Sequence, residues 1–452
     1  TGYLTVTISD IELDDLLASS GSNSVGYLPA GTGAVATTVQ TKLREGLSVK
    51  DFGATGDGVT DDTVAIQLAF TSAAALTPKK TVYFPAGTYV INPSTTIDAT
   101  GCSIDGDGQN VSIIKPSVLS TAAVAGWQHI TYNTDSNFTV SNIQIDLTNV
   151  TYTGVYPSLQ RSYHMLCYNC TNWAIRNCSF TGISNNHIGV YANGGNYWAI
   201  TDCYFENLVP SIQYSQAINI QQYSGTHRVL SNVMNGTGLF SSSGDGLVSN
   251  NICYNISFGA GLAFGPFPDC KNNIITNNHC TGGFGSPDVN ATYTSGIENW
   301  SDDAIITGNY CSNNSGSGIS HGGLNGLVAN NICLNNGIGG TGLNGITAHS
   351  VLLPYVSNPA NSVITGNICS DTQAVKTQAY GYREAGTIGG FTGMMVHSNY
   401  FYGNLTGDQL TVQTTPQVLR SSSPAWMPNM SVGNATPDTS INLLSNSYLS
   451  LT

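Results

Sequence analysis

The densest group of residues able to do chemistry is SGIENWSDD at 295–303. Cleaving a glycosidic bond takes one carboxylic acid to protonate the leaving oxygen and a second to activate water or attack the sugar. Glu298, Asp302 and Asp303 supply carboxyls close together, and Trp300 offers a sugar ring an apolar face. Asp245, in SSGDGLVS, is a fourth candidate acid, although an Asp before Gly is also an ordinary turn residue. Asp269, in PFPDC, is a candidate substrate contact. Trp173 and Trp198 are each followed by Ala-Ile. They read equally well as a stacked sugar platform and as a ladder covering a turn.

These residues need elements to bring them together. From residue 142 onward one pattern recurs: an apolar residue, small polar residues, Asn, then an apolar residue two places later. It reads LVSNNIC at 247–253, IITNNHC at 274–280, IITGNYC at 305–311, LVANNIC at 327–333 and VITGNIC at 363–369. The Asn column runs Asn142, Cys178, Cys203, Asn232, Asn251, Asn278, Asn309, Asn331, Asn367, Asn399. Its spacing varies between 19 and 36 residues. Between copies lie short runs of period-2 alternation split by Gly, Asn and Ser, with no 3.6-residue stripe. Variable coils around a fixed strand motif predict a parallel β-helix. Successive coils would stack at about 4.8 Å, so that Asn residues ladder at a turn. Two places on, Phe180, Phe205, Met234, Cys253, Cys280, Cys311, Cys333, Cys369 and Phe401 would form an inward stack. Most of the 11 cysteines are therefore expected as buried free thiols, not as a disulfide framework or a metal site.

Aligning the strand that precedes each Asn motif gives starts at Ile188, Ile218, Leu239, Leu262, Ile297, Ile319, Ile346 and Tyr382. The next residue should point outward: Gly189, Asn219, Phe240, Ala263, Glu298, Ser320, Thr347, Arg383. So should the residue three places on, a column that holds Trp300 and His349. Glu298 is thus expected as an outward carboxylate two residues from an outward aromatic. Asp245 and Asp303 share an aligned column two coil steps apart. That is about 9.6 Å, near the upper end of the separation in inverting glycosidases.

Composition limits the alternatives. Charged residues are 9% of 452, with 13 basic against 26 acidic and a net charge of −13. No basic face for nucleic acid is visible, and no 18-residue apolar run could span a bilayer. The opening TGYLTVTISDIELDD lacks the basic start and apolar block of a signal peptide. A first residue other than Met suggests a fragment or a processed chain. The best helix is 62–76, capped by Asp61 or Asp62, placed as a lid over the first coil. Residues 1–47 read as an acidic, strand-like segment and then a Gly- and Pro-bearing loop. From about 404 the Asn motif stops.

Residues 27–70, YLPAGTGAVATTVQTKLREGLSVKDFGATGDGVTDDTVAIQLAF, resemble the neck and first coil of bacteriophage tailspikes. SVKDFGATGDGVTDD at 48–62 and VYFPAGTYVI at 82–91 resemble the opening of the pectate-lyase-like β-helix superfamily. The resemblance implies an all-β, right-handed, single-stranded parallel β-helix. It would have a neck at 1–47, a catalytic β-helix at 48–403 and a small C-terminal β region at 404–452 that caps and trimerises. It further implies a homotrimer on the virion, joined to the phage tail or baseplate through the N-terminal region. Such a protein would act outside the host cell on bacterial surface polysaccharide, capsule or O-antigen. No metal, cofactor, nucleic acid or membrane insertion is expected. Residues 48–62 themselves look structural. The Asp302–Asp303 pair followed by SHGG at 320–323 resembles polygalacturonases, which adds His321 as a substrate contact. The register nevertheless puts the acid pair in a turn, and no matching Asn-Thr-Asp or Arg-x-Lys segment is present.

Paired carboxylates favour hydrolysis. The competing chemistry is β-elimination on a uronic acid, which needs a base and a cation or metal to neutralise the sugar carboxylate. Basic residues between 120 and 400 are few: Arg161, Arg176, Arg228, Lys271, Lys376 and Arg383. His349 and Arg383 could serve such a site. A third reading is an adhesin that grips its glycan without cutting it.

Overall fold

The structure, a computed structural model, describes residues 10–411 apart from 118, 122–127, 153–161, 184–186, 208–215, 222–224, 257–259, 266, 284–294, 339–342, 351–358 and 387–390. Three parallel sheets wind around one core as a right-handed β-helix. Sheet I has 13 strands and begins at Leu47–Ser48; sheet II has 13 and begins at Asp57–Asp61; sheet III has 12 and begins at Ile97–Asp98. A typical coil runs from Ile297–Asn299 in sheet III through Ile305–Thr307 in sheet I to Tyr310–Ser312 in sheet II.

The Asn column is a continuous hydrogen-bonded ladder at the turn between sheets I and II. Each side-chain Nδ2 from Asn232 to Asn367 donates to Oδ1 of the next rung at 2.9–3.0 Å. That same Oδ1 accepts the backbone N–H of the preceding rung. Nδ2 of each ladder residue also donates to a sheet I carbonyl one coil back, as from Asn309 to Ile275. The turn's buried polar groups are satisfied by the ladder itself, as burial requires. One column assignment is corrected. Ile143, not Asn142, lies opposite Cys178, because Gln144 pairs with Ser179. Asn142 belongs to the adjacent position, where the backbone is left-handed (φ 56°), along with Asn177, Asn250, Asn277 and Asn330. Asn tolerates that conformation better than other side chains with a Cβ, and glycine fills it at Gly308 and Gly366.

The inward stack forms as expected. Phe180, Phe205, Met234, Cys253, Cys280, Cys311, Cys333, Cys369 and Phe401 pair rung by rung. All eleven cysteines are free and buried.

The lid helix spans Thr63–Ala74 and buries Ile66, Ala69, Phe70 and Ala73, an i, i+3, i+4, i+7 face. Val64 and Leu68 stay exposed. The Gln67 side chain accepts from the Asp98 N–H and donates to its carbonyl, covering the edge of sheet III's first strand. Asp61 accepts from the Thr63 N–H. Asp62 turns inward, where its carboxylate takes the N–H groups of Thr55 and Gly56. The DFGATGDGVTDD segment is thus tied into the first coil. Upstream, Asp10–Leu17 is a helix where a strand-like segment was expected, and Gly26–Tyr27 pairs antiparallel with Thr37–Thr38 inside the expected loop. At the other end, Gly407–Leu410 adds a last strand to sheet III. Most of the 404–452 segment lies outside the described residues.

Asn309→Ala removes the acceptor of two Asn278 N–H groups and the donor to Ile275. It should cost about 3 kcal/mol or more. The exposed Asn330→Gly should stay within about 0.5 kcal/mol of wild type. Urea midpoints of the two variants check the contrast, and similar midpoints would contradict the ladder's structural role.

Candidate functional site

The strand pairings fix the outer column of sheet III as Tyr191, Asn219, Phe240, Ala263, Glu298, Ser320, Thr347, Arg383. This is the expected column except at its first member. Val190, not Ile188, lies opposite Ile218, so Tyr191 replaces Gly189. Glu298 therefore sits on the outer side of its strand, between inward Ile297 and Asn299.

It is not solvated, however. Glu298 is 5% exposed, Ser320 1% and Thr347 2%. The Trp300 indole Nε1 donates to Glu298 Oε1 at 2.8 Å. The same indole lies against Gly322, where a Cβ would collide with its six-membered ring. Beyond it stands His349, with ring centroids 6.0 Å apart. Glycine at 322 thus lets one aromatic ring span the rung between Glu298's coil and His349's. Burial pushes the Glu298 carboxyl up to about 7, opposed by the Trp300 hydrogen bond. No charged partner contributes to that shift. A carboxyl that keeps its proton near neutrality is what a general acid requires. Burial, and then the Arg383 charge, push His349 down to about 4, leaving a neutral imidazole.

The other acids occupy the turn into sheet I. Asp302 is half-buried, its backbone pairs with that of Lys271 in an isolated parallel bridge, and its carboxylate accepts the Leu324 N–H at 2.8 Å. Asp245 and Asp303 do share a column, with Asn272 on the rung between them. All three have left-handed backbone. Asp245 accepts from Asn272 and Asp303 from Asn325, each at 3.0 Å. These carboxylates thus help to hold an outer turn ladder. Asp269 is exposed beside the same turn.

Three expected substrate contacts point the other way. His321 is fully buried on the inner face of sheet III, its ring nitrogens paired with Asn299 and Ser362. Burial pushes it down to about 4, and no polymer on the surface reaches it. Trp173 and Trp198 are 3% and 2% exposed and stack at 4.8 Å, flanked by Phe138 and His227 in an internal aromatic ladder. The platform reading fails because each Trp lies two residues before inward Ile175 or Ile200 and shares its face. The sequence contained that parity. It contained no sign that Trp300 would cover Glu298. Among the described residues, no three His, Cys, Asp or Glu side chains cluster as metal ligands.

Residues 46–265 match the family model for rhamnogalacturonase A/epimerase, pectate lyase-like. A probable glucan endo-1,3-beta-glucosidase of Arthroderma benhamiae is 31% identical over 184 residues, 35% of this chain and 20% of that protein. The capsule K30/K69-specific depolymerase of Klebsiella phage K64-1 is 27% identical over 217 residues, 43% of this chain and 24% of its own. The chain thus spans a quarter or less of either relative. Among solved structures, the A-module of Azotobacter vinelandii mannuronan C-5 epimerase AlgE4 has a TM-score of 0.61 at 18% identity, covering 83% of this chain and 99% of that one. The tailspike of E. coli bacteriophage HK620, in complex with pentasaccharide, has a TM-score of 0.62 at 14% identity, covering 94% and 84%. At these identities the structural likenesses establish the fold, which is the fold that the tailspike resemblance implies.

Glu298→Gln keeps an acceptor for Trp300 but has no proton to lose. In the wild type the unfolded carboxyl ionises near 4.5 while the folded one holds its proton to about 7. Its contribution is therefore fully present below pH 4.5 and is lost as pH rises through 7. The variant should gain roughly 3 kcal/mol on wild type across that window. Urea titrations of both proteins from about pH 4 to pH 8 measure it. A constant difference would mean that Glu298 ionises normally.

Proposed function

We propose that this chain is the polysaccharide-degrading part of a phage tailspike, an endo-acting glycoside hydrolase with Glu298 as proton donor. The observation that carries this reading is the buried, neutral-poised carboxyl of Glu298 beside Trp300 on the outer column of sheet III. Glu298 would protonate the glycosidic oxygen as the bond to the anomeric carbon breaks. The second carboxylate would come from the adjoining turn. Asp302 stands nearest in the chain, and Asp303 and Asp245 are the alternatives. Trp300 would pack against a sugar ring, and His349, Arg383 and Asp269 would contact the polymer. The phage depolymerase and the tailspike fold support a bacterial surface polysaccharide, capsule or O-antigen, as substrate. The same reading includes a homotrimer on the virion tail, attached through the N-terminal region and acting outside the host cell.

One arrangement favours a second reading. Arg383 lies in Glu298's column, and the neutral His349 lies one residue beyond Thr347's inward neighbour, beside Trp300. A cation with a neutral base is what β-elimination on a uronic acid uses. A gripping adhesin is the third reading, and it predicts no shortened product.

Incubation with a panel of purified capsular and O-antigen polysaccharides decides among the three. Hydrolysis yields new reducing ends without absorbance near 235 nm, whereas elimination yields the unsaturated sugar that absorbs there. Under the hydrolase reading Glu298→Gln lowers the rate about 10²–10⁴-fold. The rate should also fall as pH rises through about 7, where Glu298 loses its proton. Cleavage that survives in Glu298→Gln, or a rate that is flat through that pH, would remove Glu298 from the mechanism.

A further inference from the structure

A second feature lies outside the sheet III column. On the outer face of sheet I there is a hollow of about 470 Å³. Its floor follows from the strand register. The outward column runs Thr139, Ala174, Ala199, Arg228, and two successive alanines leave a depression where larger side chains would stand. Arg176, Arg228 and Tyr197 line it as well.

Three observations point to an anionic ligand. First, the charge is concentrated against the trend of the chain. Acidic residues outnumber basic ones 26 to 13, yet two arginines and no carboxylate line this hollow. Second, both arginines are exposed, and among the described residues neither guanidinium has a hydrogen-bond or ion-pair partner. Third, Tyr197 occupies a left-handed position, φ 57°, where the two preceding coils place Asn137 and Asn172. A bulky residue is costly there, and Tyr197 is 65% exposed. Neither core packing nor turn geometry accounts for an aromatic at that point. Strained residues of this kind gather at functional sites.

We propose that this hollow binds a carboxylate-bearing sugar residue of a glycan. Arg176 and Arg228 would pair with the carboxylate, and Tyr197 would offer its face to the ring. The guanidinium fork suits a carboxylate, and an aromatic beside it suits a pyranose. Arg228, Tyr197 and Arg176 lie three, four and five coil steps from the rung of Glu298, about 14–24 Å along the rod, and on the neighbouring face. The hollow would therefore anchor a polymer away from the cutting point. It does not depend on the chemistry assigned to Glu298. The protein's overall charge repels a polyanion at long range, so the attraction is local and should weaken with salt.

The test is calorimetric titration of the full chain with hexasaccharides of galacturonate, glucuronate and mannuronate, and with their carboxyl-reduced neutral forms. At least one acidic form should bind at least about tenfold more tightly than its neutral counterpart, as charge-assisted pairs require. Arg176→Ala with Arg228→Ala should remove that preference and its salt dependence. Tyr197→Asn, which restores the residue of the two preceding coils, should weaken binding about tenfold or more while leaving the thermal midpoint unchanged or raised. Equal affinity for acidic and reduced forms would overturn the proposal. So would no binding of any acidic probe, an undiminished double-arginine variant, or Tyr197→Asn binding as wild type does. Cleavage of a neutral polysaccharide reports on Glu298 alone, so each reading can fail without the other.

Discussion

Everything in this molecule depends on one coil sitting in register on the next. The strands supply part of that constraint, but backbone pairing alone would allow slippage, since parallel ladders look alike at every step. The Asn ladder removes the freedom. From Asn232 to Asn367 each amide accepts from the rung before it and donates both forward and to a carbonyl one coil back, and Asn399 ends the series by accepting from Asn367 and donating to Ile364. A shift of one residue would strand all of these buried groups at once. The thiol and phenyl stack two residues later then packs like against like, because the ladder has already set which residues are stacked.

The same constraint explains how a buried acid can be held on an outer face. Glu298 is outward by parity but covered by Trp300, and Trp300 lies flat only because the next rung carries Gly322. Desolvation without a cationic partner is unfavourable. In a stacked-coil rod that cost is borne locally, since each coil contacts only its neighbours. A compact single-core domain would spread the disturbance more widely. A solenoid can therefore hold one strained rung without loosening the rest.

Much of this was legible in the sequence, and the errors have physical causes. The Cys and Phe stack was readable because period-2 alternation fixes its side once the Asn position is known. Asn142 was displaced by one because two adjacent positions both favour Asn, one for its amide and one for its tolerance of left-handed backbone. Residue type leaves the two tryptophans open between a sugar platform and a ladder, and His321 enters through the polygalacturonase resemblance, yet each lies two residues from an inward aliphatic that settles its face. The covering of Glu298 could not be read, since it depends on the direction of one indole across a glycine on another coil. The Asp10–Leu17 helix was obscured by a short acidic segment whose apolar residues satisfy either period.

Folds of this kind separate scaffold from chemistry. The AlgE4 A-module and the HK620 tailspike share the rod at 18% and 14% identity. That is expected if the sequence demand is limited to apolar inward residues, a turn ladder and capped ends. Outward positions carry no such demand. Any substitution there changes one rung of the surface and leaves the register untouched. Two outer regions of this chain show the range of that freedom. One is the Glu298–Trp300 rung of sheet III, and the other is the Arg176–Tyr197–Arg228 hollow of sheet I. Both place groups that are unfavourable for stability, a desolvated acid and a left-handed tyrosine, on an otherwise permissive surface. Stability therefore explains neither, and that is the physical ground for reading both as function.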